Sequence, residues 1–258
     1  MPESRAKVTG ISYEVSGRVL LDEVAFTAAL GEVVGVIGPN GAGKSTVLSV
    51  VGGSLQPTRG EVELMGRSIG DASAREQAMI RSFLGANPPA DIPFPVRAVV
   101  EAGRYPYAGL EDNDEETDRA YVLSAMERAD VAHLSERAYA TLSSGEQARV
   151  MIARILAQDS PVALLDEPTA ALDLANAERA IATLTKPGGT DTTVICVLHD
   201  LNVASYFCDH LMLLDGGRLV ASGSPKDVLV TELLSQVYRH ELKVVDHPFR
   251  GCPLVLTV

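Results

Sequence analysis

The residues Gly38-Pro39-Asn40-Gly41-Ala42-Gly43-Lys44-Ser45-Thr46 fit the pattern G-x-x-x-x-G-K-[ST]. Glycines at this spacing let main-chain N–H groups curl around phosphate oxygens, and a helix starting there adds a favourable dipole. In that setting Lys44 reaches the β- and γ-phosphates of a nucleotide, and the Ser45 hydroxyl ligates Mg2+. A second group is Val162-Ala163-Leu164-Leu165-Asp166-Glu167, an apolar run ending in two carboxylates. Alone, such a pair is a polar turn after a strand. Beside a phosphate loop, Asp166 can hold the metal's shell and Glu167 can orient or deprotonate an attacking water. A third group, Ser143-Ser144-Gly145-Glu146, has two readings that the pattern leaves open. Ser-x-x-Glu is a capping box, and the same helix N-terminus also suits a phosphate.

These groups need strands and helices to hold them. The apolar run Val33 to Ile37 ends in glycines and predicts a strand buried on both faces, with a helix following over Thr46 to Val51. Val162 to Leu165, Val194 to Leu198 and Leu211 to Leu214 read the same way, with helical stretches between them. That alternation predicts an α/β fold with a mostly parallel central sheet. Residues 5 to 30 read as short antiparallel strands instead. Residues 85 to 95, GANPPADIPFP, carry four prolines and exclude regular helix and central strand. Helices are expected over about 96–105, 113–130 and 144–158, the second opening on the acidic run 111–118, which favours a helix's first turn. One more helix is expected over about 226–239, then two short β-like runs flanking His247-Pro248.

The chain has 258 residues, 46% hydrophobic and 22% charged, enough for a sizeable core and too apolar for disorder. No apolar run approaches the ~20 residues of a membrane-spanning helix, and MPESRAKVTG lacks a secretory h-region, so a cytosolic location is expected. Three cysteines without CxxC spacing argue against a disulfide framework or a zinc site. A net charge of −12 makes nucleic acid a poor partner.

Leu142-Ser143-Ser144-Gly145-Glu146-Gln147 resembles the signature motif of ABC ATPases, and the resemblance runs over essentially the whole chain. Within it Tyr13 matches the aromatic that stacks on adenine, Ala171-Leu172-Asp173 the D-loop, and His199 the switch histidine at the γ-phosphate. The resemblance implies a P-loop NTPase fold with an N-terminal antiparallel β subdomain and an inserted helical subdomain. As one domain over 1–258, its core would span about 1–84 and 160–225, its helical part 85–159 and its C-terminal appendage 226–258. It also implies ATP and Mg2+ as ligands, with Lys44, Glu167 and His199 catalytic and Ser45 and Asp166 on the metal. Subunits would pair head to tail, so that Ser143, Ser144, Gly145 and Glu146 meet the ATP of the opposite subunit. A transmembrane permease would turn closure into transport at the cytoplasmic face of the cell membrane, with an extracytoplasmic substrate-binding protein as an indirect partner.

Among ABC ATPases the sequence is most similar to those of haem, iron–siderophore and cobalamin importers, haem foremost. The pointers are Pro93-Phe94-Pro95-Val96-Arg97, Ala132-His133-Leu134, His199-Asp200-Leu201-Asn202 and Val245-x-His247-Pro248. A siderophore or cobalamin importer subunit is the alternative, and a soluble non-transport ABC ATPase a further one. Two positions depart from the family pattern. Ser144 stands where glycine is usual, and Gly85-Ala86-Asn87 follows Arg81-Ser82-Phe83-Leu84 where Pro-Gln is usual. Ala86 has no donor or acceptor, so either Asn87 supplies the missing amide of this Q-loop or it only starts an Asn-Pro turn.

Overall fold

In the computed structural model, residues 4–111, 113–168, 179, 182–183 and 192–258 are described. They fall into two units, Met1–Asp71 with Thr193–Val258, and Ala72–Thr192. The first unit opens with β1 (Ser4–Val15) and β2 (Arg18–Ala29), antiparallel with Val8 opposite Phe26. These are full twelve-residue strands rather than the short ones expected, because register shifts let each bend and keep pairing. Ala6, Val8 and Ile11 of β1 and Leu21, Val24, Phe26 and Ala28 of β2 form the buried face. Then β3 (Val33–Ile37), buried at every residue, leads through the glycine loop into α1 (Lys44–Val51). β4 (Arg59–Leu64) joins β1 antiparallel, and β5 (Arg67–Ser68) completes this four-stranded sheet.

The second unit begins with α2 (Ala74–Ile80), started by a Ser73–Glu76 capping box and running straight into β6 (Arg81–Leu84). The proline-rich segment 85–94 has no helix or strand, as its composition predicts. α3 (Val96–Glu101) passes into a 3-10 turn over Ala102–Tyr107, ending the helix earlier than expected where Pro106 removes a donor. α4 (Glu115–Arg128) starts at Asp114, whose carboxylate accepts the Thr117 N–H at 2.7 Å, with Glu115, Glu116 and Asp118 in the first turn. α5 (Ser144–Gln158) and β7 (Val162–Asp166) follow, and β7 lies parallel to β6 with Leu84 opposite Leu165. Arg104 ties this unit together. Its guanidinium lies over the rings of Tyr107 and Tyr121 and donates to Asp118 and to the Ala157 carbonyl near the end of α5.

The chain returns to the first unit with β8 (Thr193–Val197), again fully buried, then α6 (Leu201–Phe207), β9 (His210–Asp215) and β10 (Arg218–Gly223). β3 lies between β8 and β9, parallel to both, and β10 pairs antiparallel with β9. Valines, leucines and isoleucines fill these central strands without alternation, the pattern of a sheet covered on both faces. The single helix expected over 226–239 is two, α7 (Pro225–Val228) and α8 (Thr231–Tyr238). Val228 and Leu229 turn inward to buried positions, and extended Val230 restarts the helix. β-branched residues at the break weaken a continuous helix. β11 (Leu242–Asp246) and β12 (Pro253–Thr257) form the final hairpin.

Candidate functional site

The loop after β3 is shaped by backbone that only glycine accepts easily. Gly38 has φ +145°, and a Cβ there would collide with the Leu214 carbonyl. Gly43 has φ +98°, and a Cβ would stand 2.8 Å from the Leu20 carbonyl. The Gly217 N–H donates to the Ala42 carbonyl at 3.0 Å, and Asp22 N–H to the Gly217 carbonyl at 2.9 Å. Lys44 is 6% exposed, and its ammonium donates to the Gly38 and Pro39 carbonyls at 2.8 and 2.9 Å. Two short charge-assisted bonds hold that cation at the mouth of the loop, where an anion gains most from it. Ser45 and Thr46 lie in the first turn of α1.

Tyr238, at the end of α8, is a neighbour of this loop that no sequence pattern marks. Burial pushes its pKa up to about 12, against a smaller lowering by the nearby Gly38 N–H, and keeps the phenol neutral. Chain separation of this size leaves no local signal.

His199 follows the buried β8 and is itself exposed. Since Val197 pairs with Val36 in parallel register, His199 and the glycine loop leave the sheet at the same strand ends. Tyr13 is half-buried on β1, opposite Leu21. Within the first unit, then, the phosphate loop and His199 are brought to one edge.

In the second unit, Asp166 ends β7 and is 6% exposed, and Glu167 turns at φ +54°. A glutamate in the left-handed region carries strain, and strain of this kind collects at functional sites. The parallel pairing of β6 and β7 sends half-buried Ala86 and exposed Asn87 off the sheet beside Asp166 and Glu167. At the start of α5 the capping box is formed. The Glu146 carboxylate accepts from the Ser143 N–H at 2.8 Å and from its hydroxyl at 2.7 Å. These bonds, the hydroxyl's first, hold the Glu146 pKa below the ordinary carboxylate range. Ser143 and Ser144 remain exposed and Gly145 half-exposed, so the cap leaves their surface open. Gln147, one residue further along, donates to the Ala90 and Tyr139 carbonyls at 3.1 and 3.2 Å and anchors the proline-rich segment. Asp173 lies outside the described residues.

Among the described residues, no cluster of three or more His, Cys, Asp or Glu could hold a metal by itself. Ser45 in the first unit and Asp166 in the second each offer a hard oxygen donor, the kind Mg2+ takes.

A buried strand, a glycine loop that folds a lysine back on itself, and a helix with Ser45 and Thr46 in its first turn define a P-loop nucleotide-binding protein. Residues 21–170 match the ABC transporter family model. A hemin import ATP-binding protein of Nocardia farcinica is 45% identical over 93% of this chain and 83% of its own length. Another of that name, from Gloeobacter violaceus, is 44% identical over 97% of this chain and 93% of its own. Among solved structures, a metal-chelate type ABC transporter in an inward-facing conformation superposes with TM-score 0.84 at 22% identity, covering 99% of this chain and 98% of that one. A dimeric ATP-binding cassette holding ADP and Pi has TM-score 0.74 at 28% identity over 85% of this chain and 98% of that one. The chain belongs to the ABC transporter family, as an ATP-binding cassette with ATPase activity. No helix among the described residues is long and apolar enough to cross a membrane.

Proposed function

We propose that this chain hydrolyses ATP to drive haem uptake through a transmembrane permease. The observation that carries the reading is the identity of 36–45% to relatives named hemin import ATP-binding proteins, over 93% or more of the chain. In this reading Gly38 to Thr46 cradle the phosphates, with Lys44 on the β- and γ-phosphates and Tyr13 on the adenine. Ser45 and Asp166 hold Mg2+, which neutralises phosphate charge when bound. Glu167 orients and deprotonates the attacking water, and His199 contacts the γ-phosphate. Ser143, Ser144, Gly145 and Glu146 engage the ATP of a second copy paired head to tail, so closure needs two nucleotides. Asp173 serves as the D-loop carboxylate. The subunit sits at the cytoplasmic face of the membrane through its permease, which receives haem from an extracytoplasmic binding protein.

The test is reconstitution of the chain with its permease in liposomes, with ATPase measured against haem, a ferric siderophore and cobalamin, each on its cognate binding protein. Stimulation by haem alone supports the reading. Stimulation by either other compound, with haem silent, refutes the substrate and leaves the ATPase intact.

A further inference from the structure

The C-terminal hairpin grips α6, the short helix that begins two residues after His199. The Asn202 side-chain amide donates to the Val255 carbonyl at 3.1 Å and accepts the Val255 N–H at 2.7 Å. One side chain thereby satisfies both main-chain groups on the free edge of β12, as a further strand would. One turn along, the Ser205 hydroxyl, 3% exposed, donates to the Pro253 carbonyl at 2.6 Å. The Arg250 guanidinium lies 3.7 Å from the Tyr206 ring centroid.

A seven-residue helix has little stability of its own, so tertiary contacts decide where it lies. The far end of α6 is fastened to β3, where Asp209 N–H donates to the Val33 carbonyl and the Asp209 carboxylate accepts Val33 N–H, both at 2.9 Å. The near end starts at Asp200, whose carboxylate caps the Asn202 and Val203 N–H groups at 2.8 and 3.1 Å. On the other side of His199, Leu198 N–H donates to the Val36 carbonyl at 3.2 Å. The Asn202 bonds to β12 add an anchor on the helix side of the histidine.

We propose that Asn202 is a positioning residue for His199, with the β11–β12 hairpin as its fixed anchor. The proposal rests on the reading of His199 as the γ-phosphate contact. It gives the appendage a part in turnover: releasing Asn202 from β12 withdraws the histidine while Lys44 keeps its bonds within the phosphate loop. It also gives Asn202 of the His-Asp-Leu-Asn run a task.

The test uses the purified full chain and measures kcat, KM for ATP and nucleotide affinity for Asn202→Ala, Val255→Pro, His199→Ala and Asn202→Ala with His199→Ala. Val255→Pro removes the N–H that Asn202 accepts, at a strand edge where proline is tolerated. Misplacing a reacting group by about 1 Å can cost ~100-fold, so each clamp variant should lower kcat roughly ten- to a hundredfold with KM and affinity within about twofold. In the His199→Ala background, Asn202→Ala should change residual turnover by less than about twofold, since the two act as one unit. The same loss in both backgrounds would make Asn202 merely structural and overturn the clamp, leaving the His199 reading intact. Wild-type turnover by His199→Ala would overturn that reading, and the clamp with it.

Discussion

Replacing Arg104 by alanine should destabilise the helical part of the second unit severely. The side chain is 7% exposed and its Nε donates to the Asp118 carboxylate at 2.7 Å. It also donates to the Ala157 carbonyl at 2.9 Å and lies 4.0 and 4.1 Å from the centroids of Tyr107 and Tyr121. Asp118 is 28% exposed and borders a cleft of about 850 Å³, so water can rehydrate it once the arginine is gone. Its bond therefore counts at the low end of the charged range, about 1.5 kcal/mol. The two rings contribute ~0.5–1 kcal/mol each, and the stranded carbonyl costs a further ~1 kcal/mol. The sum, about 4 kcal/mol, lowers the melting temperature by ~8–16 °C for a chain of this size. Lysine keeps the charge but has neither the planar fork nor the stacking surface, so Arg104→Lys should recover less than about half the loss. Calorimetry on the three proteins at neutral pH measures this. Arg104→Ala melting within about 3 °C of the parent, against that scale, would refute the buried-pivot argument.

Glu167→Gln should retain ATP binding and accumulate as a closed dimer, with turnover down ~10²–10⁴-fold; phosphate release within about threefold of the parent would remove Glu167 from the general-base role. On that background Ser143→Arg should abolish ATP-induced dimers in light scattering, because a guanidinium at an exposed helix start fills the space for the partner's γ-phosphate; surviving dimers would count against head-to-tail pairing. If Asn87 supplies the Q-loop amide, Asn87→Ala should cut permease-coupled ATPase about tenfold, ~1.4 kcal/mol of barrier, and Ala86→Gln should restore it; unchanged coupled turnover would leave Asn87 as a turn residue. Glu146, Asp114 and Asp227 are held below the ordinary carboxylate range by hydrogen bonds to Ser143, Thr117 and Ser224. Their folded pKa values are depressed, so their stabilisation is full above the ordinary carboxylate range of about pH 4–4.5 and fades as pH falls below it, through the lower folded values. The urea midpoint should drop as the pH falls from about 5 to 3, and less steeply in the triple amide variant; parallel curves would contradict the assignment.

Local patterns made much of this legible. The run Val33 to Ile37, the glycine spacing and Lys44 predict strand, loop and helix because each neighbour constrains the next. The Ser143–Glu146 box and the acidic start of α4 are legible for the same reason. Tyr238 on Gly38, and Asn202 on Val255, are partnerships between distant segments, and residue type alone does not announce them. The break at Leu229-Val230 escaped because burial of Val228 and Leu229 overrides the helical propensity of the flanking residues. Arg104 reads as one more surface cation until Tyr107, Tyr121 and Asp118 enclose it.

The braces around Gly38 and Gly43 also set an order of events on the ribosome. The loop emerges early, but Leu214, Gly217 and Tyr238, which shape it, come ~170–200 residues later, a delay of about 10–40 s at ordinary synthesis rates. Through that interval the nascent chain carries the whole phosphate-binding sequence without the framework that gives it form. Nucleotide capture thus waits until translation has passed residue 238. A message truncated before residue 214 should yield a product that lacks the neighbours shaping this loop and so binds ATP weakly.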